Sequence, residues 1–73
     1  MYSWESPEMM LYDLDISVRT YYRLKRAGIQ TVADLCALTD DELRRIPNLG
    51  KKSYEEILEK LSENGLFLKE NDL

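Results

Sequence analysis

Between Ser17 and Gly65 the chain is punctuated so often that no element there has room to be long. Ser17, Thr31 and Thr39 each precede an apolar run at helical spacing, and each carries a side-chain oxygen that can accept a free N–H of a first helical turn. Gly28, Pro47 and the pair Asn64-Gly65 stand where such runs stop. Glycine closes a helix by entering the left-handed region without a Cβ penalty, and proline pushes the residue before it out of the α region. The segments between these marks predict short helices packed around one core.

The first helix is expected over Val18 to Ala27, with Val18, Tyr21, Leu24 and Ala27 on its buried stripe. Thr31 opens a second, whose apolar face is Val32, Leu35, Cys36 and Leu38, with Asp34 near its positive end. Thr39 with Glu42 three residues on makes a capping-box pattern for a third, buried through Leu43 and Ile46. The clearest period is Tyr54, Ile57, Leu58 and Leu61. On that last helix Glu56 and Lys60 form an i,i+4 pair assigned to the outer face, and Leu66, Phe67 and Leu68 are expected to fold back onto the core. No run alternates with period two, so no sheet is expected. Residues 1–11 show no period and read as an arm, despite the apolar Tyr2, Trp4, Met9 and Met10; residues 12–69 form the domain and 70–73 a tail.

A chain of 73 residues holds one core at most. Cys36 is its only cysteine and it has no histidine, which removes a disulfide within the chain and the usual ligands of a structural zinc. The lone thiol fits a reducing cytoplasm and reads as a small buried hydrophobe, and no stretch approaches membrane-spanning length. With no histidine for general base work, no Walker-type glycine loop and no nucleophile elbow, the chain reads as a binding module without cofactor or small-molecule substrate. The run Asp40-Asp41-Glu42 reads as helix-start electrostatics rather than a metal site.

The net charge of −4 conceals a dipole. From Arg19 to Ser53 eight basic residues face four acids, whereas residues 1–18 carry four acids and no base and residues 54–73 carry six acids and two bases. Within the basic middle, Leu24-Lys25-Arg26 leads through Gly28-Ile29 to a helix, and Leu43-Arg44-Arg45 leads through Leu49-Gly50 to another. These look like two helix-hairpin-helix units. Glycine in such a turn lets a phosphate approach the backbone, and the N–H groups opening the next helix carry partial positive charge. Lys51 and Lys52 open that helix and Arg19 falls in the first turn of the first one. All three oppose the helix dipole unless an anion joins them. A solvated basic face is the alternative reading of the same charges.

Leu14-Asp15-Ile16-Ser17-Val18-Arg19, Leu24-Lys25-Arg26-Ala27-Gly28-Ile29 and Asn48-Leu49-Gly50-Lys51-Lys52-Ser53, followed by Glu55-Glu56-Ile57, together resemble the C-terminal domain of the bacterial RNA polymerase alpha subunit, from about Leu11 to Leu68. The resemblance implies an all-α, SAM-like fold, a compact bundle of four to five short helices with helix-hairpin-helix units. It implies a non-catalytic transcription module that binds A·T-rich upstream promoter DNA in the minor groove. By resemblance Arg19 enters the groove, Asn48 positions the hairpin, and Gly50, Lys52 and Ser53 meet phosphates, with Lys51 and Lys25 at the edge. The partners it implies are double-stranded promoter DNA, the sigma subunit at Asp13 and Asp15, and transcription regulators at Thr39, Asp40, Asp41 and Glu42. Tyr21 matches a position that contacts a regulator in some relatives, and Lys25 is assigned to protein docking as well.

Two positions depart from the family. Tyr22 stands where an asparagine usually assists the arginine, and Arg23 where a small residue is usual. Tyrosine lacks the amide's paired donor and acceptor, and Arg23 offers a phosphate contact in compensation. Two alternatives therefore stand beside the promoter-binding reading. One is a protein-interaction paralogue that binds regulators with weak or no DNA binding, and the other an accessory piece of a DNA repair enzyme. The matching segments include no polymerase assembly domain, which leaves an excised domain and a free-standing paralogue both open.

Overall fold

The computed structural model describes residues 9–70. Their first element is a 3-10 turn, Leu11–Leu14, closed by a reciprocal pair of bonds: Asp13 N–H donates to the Met10 carbonyl at 2.9 Å and Met10 N–H to Asp13 Oδ2 at 3.0 Å. Leu11 and Leu14 are fully buried. Four residues are too few to show a period, so a turn that supplies two core leucines leaves no helical signature in the sequence.

Helix α1 spans Val18–Arg26 and starts at Ser17, whose Oγ accepts the Thr20 N–H at 3.3 Å. Its end is built by Gly28 at φ +91, with Ile29 N–H donating to the Leu24 carbonyl and Gly28 N–H to that of Lys25, both at 3.0 Å. This double bond set joins the buried Leu24 and Ile29 across the turn. The expected stripe is corrected at both ends: Val18 is 70% exposed and Ala27 is exposed, and the buried residues of α1 are Thr20 and Leu24. A threonine can take the core position because its hydroxyl finds partners there.

Helices α2, Val32–Cys36, and α3, Asp40–Arg44, are one turn and a little each, and both carry the full capping box. Thr31 Oγ1 accepts the Asp34 N–H at 3.0 Å, while Asp34 Oδ2 accepts from Thr31 N–H at 3.2 Å and Gln30 N–H at 3.1 Å. The backbone donors of Gln30 and Thr31 hold the Asp34 carboxyl below its ordinary value. In α3 the same exchange runs between Thr39 and Glu42 at 3.2 and 2.9 Å. Such short helices need their caps, since almost every backbone group in them is terminal.

Helix α4, Lys51–Glu63, is the long one, and Ser53, Ile57 and Leu61 are its buried residues. Tyr54 and Leu58 are half-buried against the core. Gly65 at φ +71 repeats the ending of α1, with Leu66 N–H on the Leu61 carbonyl at 2.8 Å. In the following segment the side chains alternate between core and solvent. Leu66 and Leu68 pack on the core and Phe67 between them is 78% exposed, which corrects the expectation that all three turn inward. Lys69 N–H docks on the Leu38 carbonyl at 2.9 Å.

The core joins Leu11, Leu14, Leu24, Ile29, Val32, Leu35, Leu43, Leu49, Ile57 and Leu61, so every element contributes. Cys36 packs at its edge, where burial pushes the thiol pKa up. Among the described residues there is no strand, only two isolated bridges, Met10 with Thr31 and Thr39 with Lys69. Tyr2 and Trp4, assigned to the arm, lie outside the described residues.

A candidate nucleic-acid interface

The two hairpins look alike in sequence and are built differently. In the turn between α1 and α2 the left-handed residue is Gly28, whereas between α3 and α4 it is Asn48, at φ 66. Asparagine is among the few side chains that enter this region readily. Gly50 has a negative φ of −32, and a Cβ built on it meets nothing within 4 Å. Internal packing therefore does not require glycine at position 50, and the missing side chain leaves bare backbone at the start of α4.

That start is uncapped. Ser17, Thr31 and Thr39 cap the other three helices, but no side chain bonds the first turn of α4 and no acid sits in it. Its leading N–H groups have no partner within the helix, and Lys51 and Lys52, both exposed, stand directly on them.

Beside this terminus lies a shallow concavity of about 590 Å³ lined by Ser17, Arg19, Arg23, Gly50, Lys51, Lys52, Ser53 and Glu56. The packing of α1 on α4 thus brings together six of the seven residues assigned to DNA, and Asn48 lines the adjoining hollow with Arg23 and Arg26. A further hollow of about 690 Å³ shares Gly50 and Lys51 with the concavity and is also lined by Arg44, Ile46, Leu49 and Tyr54. There the Tyr54 hydroxyl donates to Asp40 and accepts from Arg44, and the hydrogen bond Arg44 donates to Tyr54, with the charge of Asp40, raises the Arg44 pKa.

Two of the assigned side chains are occupied inside the molecule. Ser53 is 6% exposed, and its hydroxyl accepts a 2.8 Å hydrogen bond from Thr20 Oγ1, which ties it to α1. Arg23 is half-buried and donates Nη1 to the Asn48 carbonyl, tying α1 to the hairpin. Arg19 alone on α1 is an exposed cation within the concavity.

Sequence reasoning missed the floor of the site. Glu56 does not pair with Lys60 on the outer face; Lys60 instead meets Glu63 at 3.7 Å. Glu56 accepts from Ser17 N–H and Oγ at 2.6 and 3.1 Å and from Thr20 Oγ1 at 2.6 Å, which stitches α4 to the start of α1. Burial acts to raise its pKa, but the hydrogen bonds from Thr20 and Ser17 prevail and hold it below the ordinary carboxylate value. The available signal was spacing, since Glu56 lies one turn from Lys52 and Ser53 and so shares their face.

Residues 4–63 match the family described as the C-terminal domain of the bacterial RNA polymerase alpha chain. This protein belongs to that family. It is 52% identical to the DNA-directed RNA polymerase subunit alpha of Symbiobacterium thermophilum, 49% to that of Moorella thermoacetica and 54% to that of Clostridium botulinum strain Eklund 17B, each over 65 residues. Those 65 residues are 89% of this protein and 21% of each relative, so it spans about a fifth of the curated relatives it matches. The C-terminal domain of an alpha subunit is a non-catalytic part of the transcription machinery. Among the described residues there is no group of side chains suited to a metal ion, and no helix is long and apolar enough to cross a membrane.

The residues assigned to protein partners fall on three elements of this alpha-type domain. Asp13 closes the 3-10 turn and Asp15 follows it, exposed, at a left-handed φ of 63. Tyr21 is half-buried on α1 with Lys25 Nζ 5.7 Å from its ring centroid. At the start of α3, Thr39 and Glu42 cap each other, Asp40 pairs with Arg44 at 2.9 Å, and Asp41 is exposed.

Proposed function

We propose that this domain binds A·T-rich upstream promoter DNA in the minor groove and docks transcription factors beside it. The observation that carries the reading is the convergence of Arg19, Lys51 and Lys52 on the uncapped N-terminus of α4. A phosphate there meets unsatisfied N–H groups, the positive end of a thirteen-residue helix and two ammonium groups at once. Arg19, standing off that site on α1, is placed for the groove itself, where narrow A·T tracts concentrate negative potential. Asp13 and Asp15 on one side, and Thr39 to Glu42 with Tyr21 and Lys25 on others, are then surfaces for the sigma subunit and for regulators.

The test is fluorescence anisotropy of a labelled A·T-rich duplex at low salt against a G·C-rich control. The wild type is expected to prefer A·T, to weaken with a log–log salt slope of about −0.9 per phosphate neutralised, and to lose most of its affinity in Arg19→Ala. A wild type that binds neither duplex but binds sigma or a regulator moves the domain to the protein-interaction reading.

A further inference from the structure

Tyr22 is 59% exposed, yet its ring is held. It meets Tyr21 edge-on, with centroids 5.3 Å apart and planes at 73°, and Tyr21 is itself packed on the core and stacked under Lys25. Aromatic pairs in this arrangement attract each other, so the outer ring keeps its place on the surface.

That place is beside Arg19. At 3.6 residues per turn Tyr22 lies about 60° around α1 from Arg19, on the side away from Arg23. Arg23 is turned to the Asn48 carbonyl, toward α4. Across the exposed ridge of α1 the order is therefore hairpin cations, Arg19, then Tyr22. An arginine entering a groove from this surface has phosphate-binding groups on one side and an aromatic ring on the other. The opposite wall of a minor groove is deoxyribose, apolar enough to receive a ring, and the groove floor below it is lined with hydrogen-bond acceptors at A·T pairs.

We propose that Tyr22 is a specificity-determining residue of the groove contact, its ring lying on the deoxyribose wall and its hydroxyl donating to adenine N3 or thymine O2. This rests on the DNA-binding reading above. An A·T pair offers only acceptors in the minor groove, whereas a G·C pair adds the guanine amino group, which fills the space the phenol needs.

The experiment titrates three duplexes of matched length, A·T, G·C and inosine·C, with the wild-type protein, Tyr22→Phe, Tyr22→Ala and Arg19→Ala. Inosine·C keeps the G·C major-groove acceptors and removes the minor-groove amino group. Wild type is expected to favour A·T and inosine·C alike over G·C. Tyr22→Phe should weaken the first two by about 2- to 10-fold, the worth of one hydrogen bond, and leave G·C binding unchanged. Tyr22→Ala should weaken all three further as the ring is lost. Wild-type affinities in both Tyr22 variants, or tighter binding by Tyr22→Ala, would overturn the role of Tyr22 while the loss in Arg19→Ala keeps the DNA reading. Absence of binding by the wild type to every duplex overturns the DNA reading and the role of Tyr22 with it.

Discussion

Glu56 shows how one carboxylate can fix the position of one helix against another. It accepts three hydrogen bonds from Ser17, the cap of α1, and Thr20 in its first turn, so α4 fixes where Arg19 leaves the surface. Glu56→Gln keeps the shape and removes the charge, and is expected to lower unfolding stability by about 1 kcal/mol, discounted for partial exposure from the usual worth of a charged hydrogen bond. The pH dependence has a definite sign. A carboxyl whose folded pKa is depressed contributes stability that is present above its unfolded value and is lost as pH falls through the lower folded value. Urea titrations from neutral pH into the acid range should show this loss in the wild type and a flatter profile in Glu56→Gln. An identical acid profile in the two proteins would remove Glu56 from that role. None of this was legible in the sequence, where Glu56 and Lys60 offer a ready surface pair.

At the scale of elements, the caps and stops of the sequence translate into helices with little change. Ser17, Thr31 and Thr39 cap as their residue types require, and Gly28 and Gly65 end helices at positive φ. The hairpin before α4 carries the separation of stability from function. Because a Cβ at position 50 meets nothing within 4 Å, Gly50→Ala should still fold, at a cost of about 1 kcal/mol from the preference of an N-cap for glycine over alanine. The same methyl group intrudes where a phosphate would meet the first turn of α4, so DNA affinity should fall several-fold. Thermal unfolding and anisotropy on the same preparation check both halves. A variant that unfolds and one that binds normally would each contradict this account of Gly50. The Leu66–Leu68 segment was less readable, because three consecutive apolar residues carry no direction until the course of the backbone is known.

For the whole molecule the margin is narrow. A domain of this size has a stability of roughly 0.05–0.15 kcal/mol per residue, and its core is shared out one or two residues per element. Ile57 is fully buried at the centre of α4. Ile57→Ala should cost about 2–5 kcal/mol, a large share of that margin, read as a lowered melting temperature by far-ultraviolet circular dichroism. A melt within a few degrees of wild type would show that the core closes over the gap.

The helices, their ends and the basic middle of the protein were all readable from the residues in order, because caps, breakers and charge are local properties of neighbours. The family was readable too, through three short segments in sequence. The 3-10 turn, the burial of Thr20 and Ser53, the inward course of Glu56 and the bracing of Arg23 on Asn48 came into being with the folded molecule. The 3-10 turn is too short to show a period, and each of the others is a polar group whose partner lies far off in the sequence: Thr20 and Ser53 are 33 residues apart, and Arg23 and Asn48 25. A polar side chain becomes a core residue or a strut only when such a partner reaches it, and that meeting exists only once α1 has packed on α4.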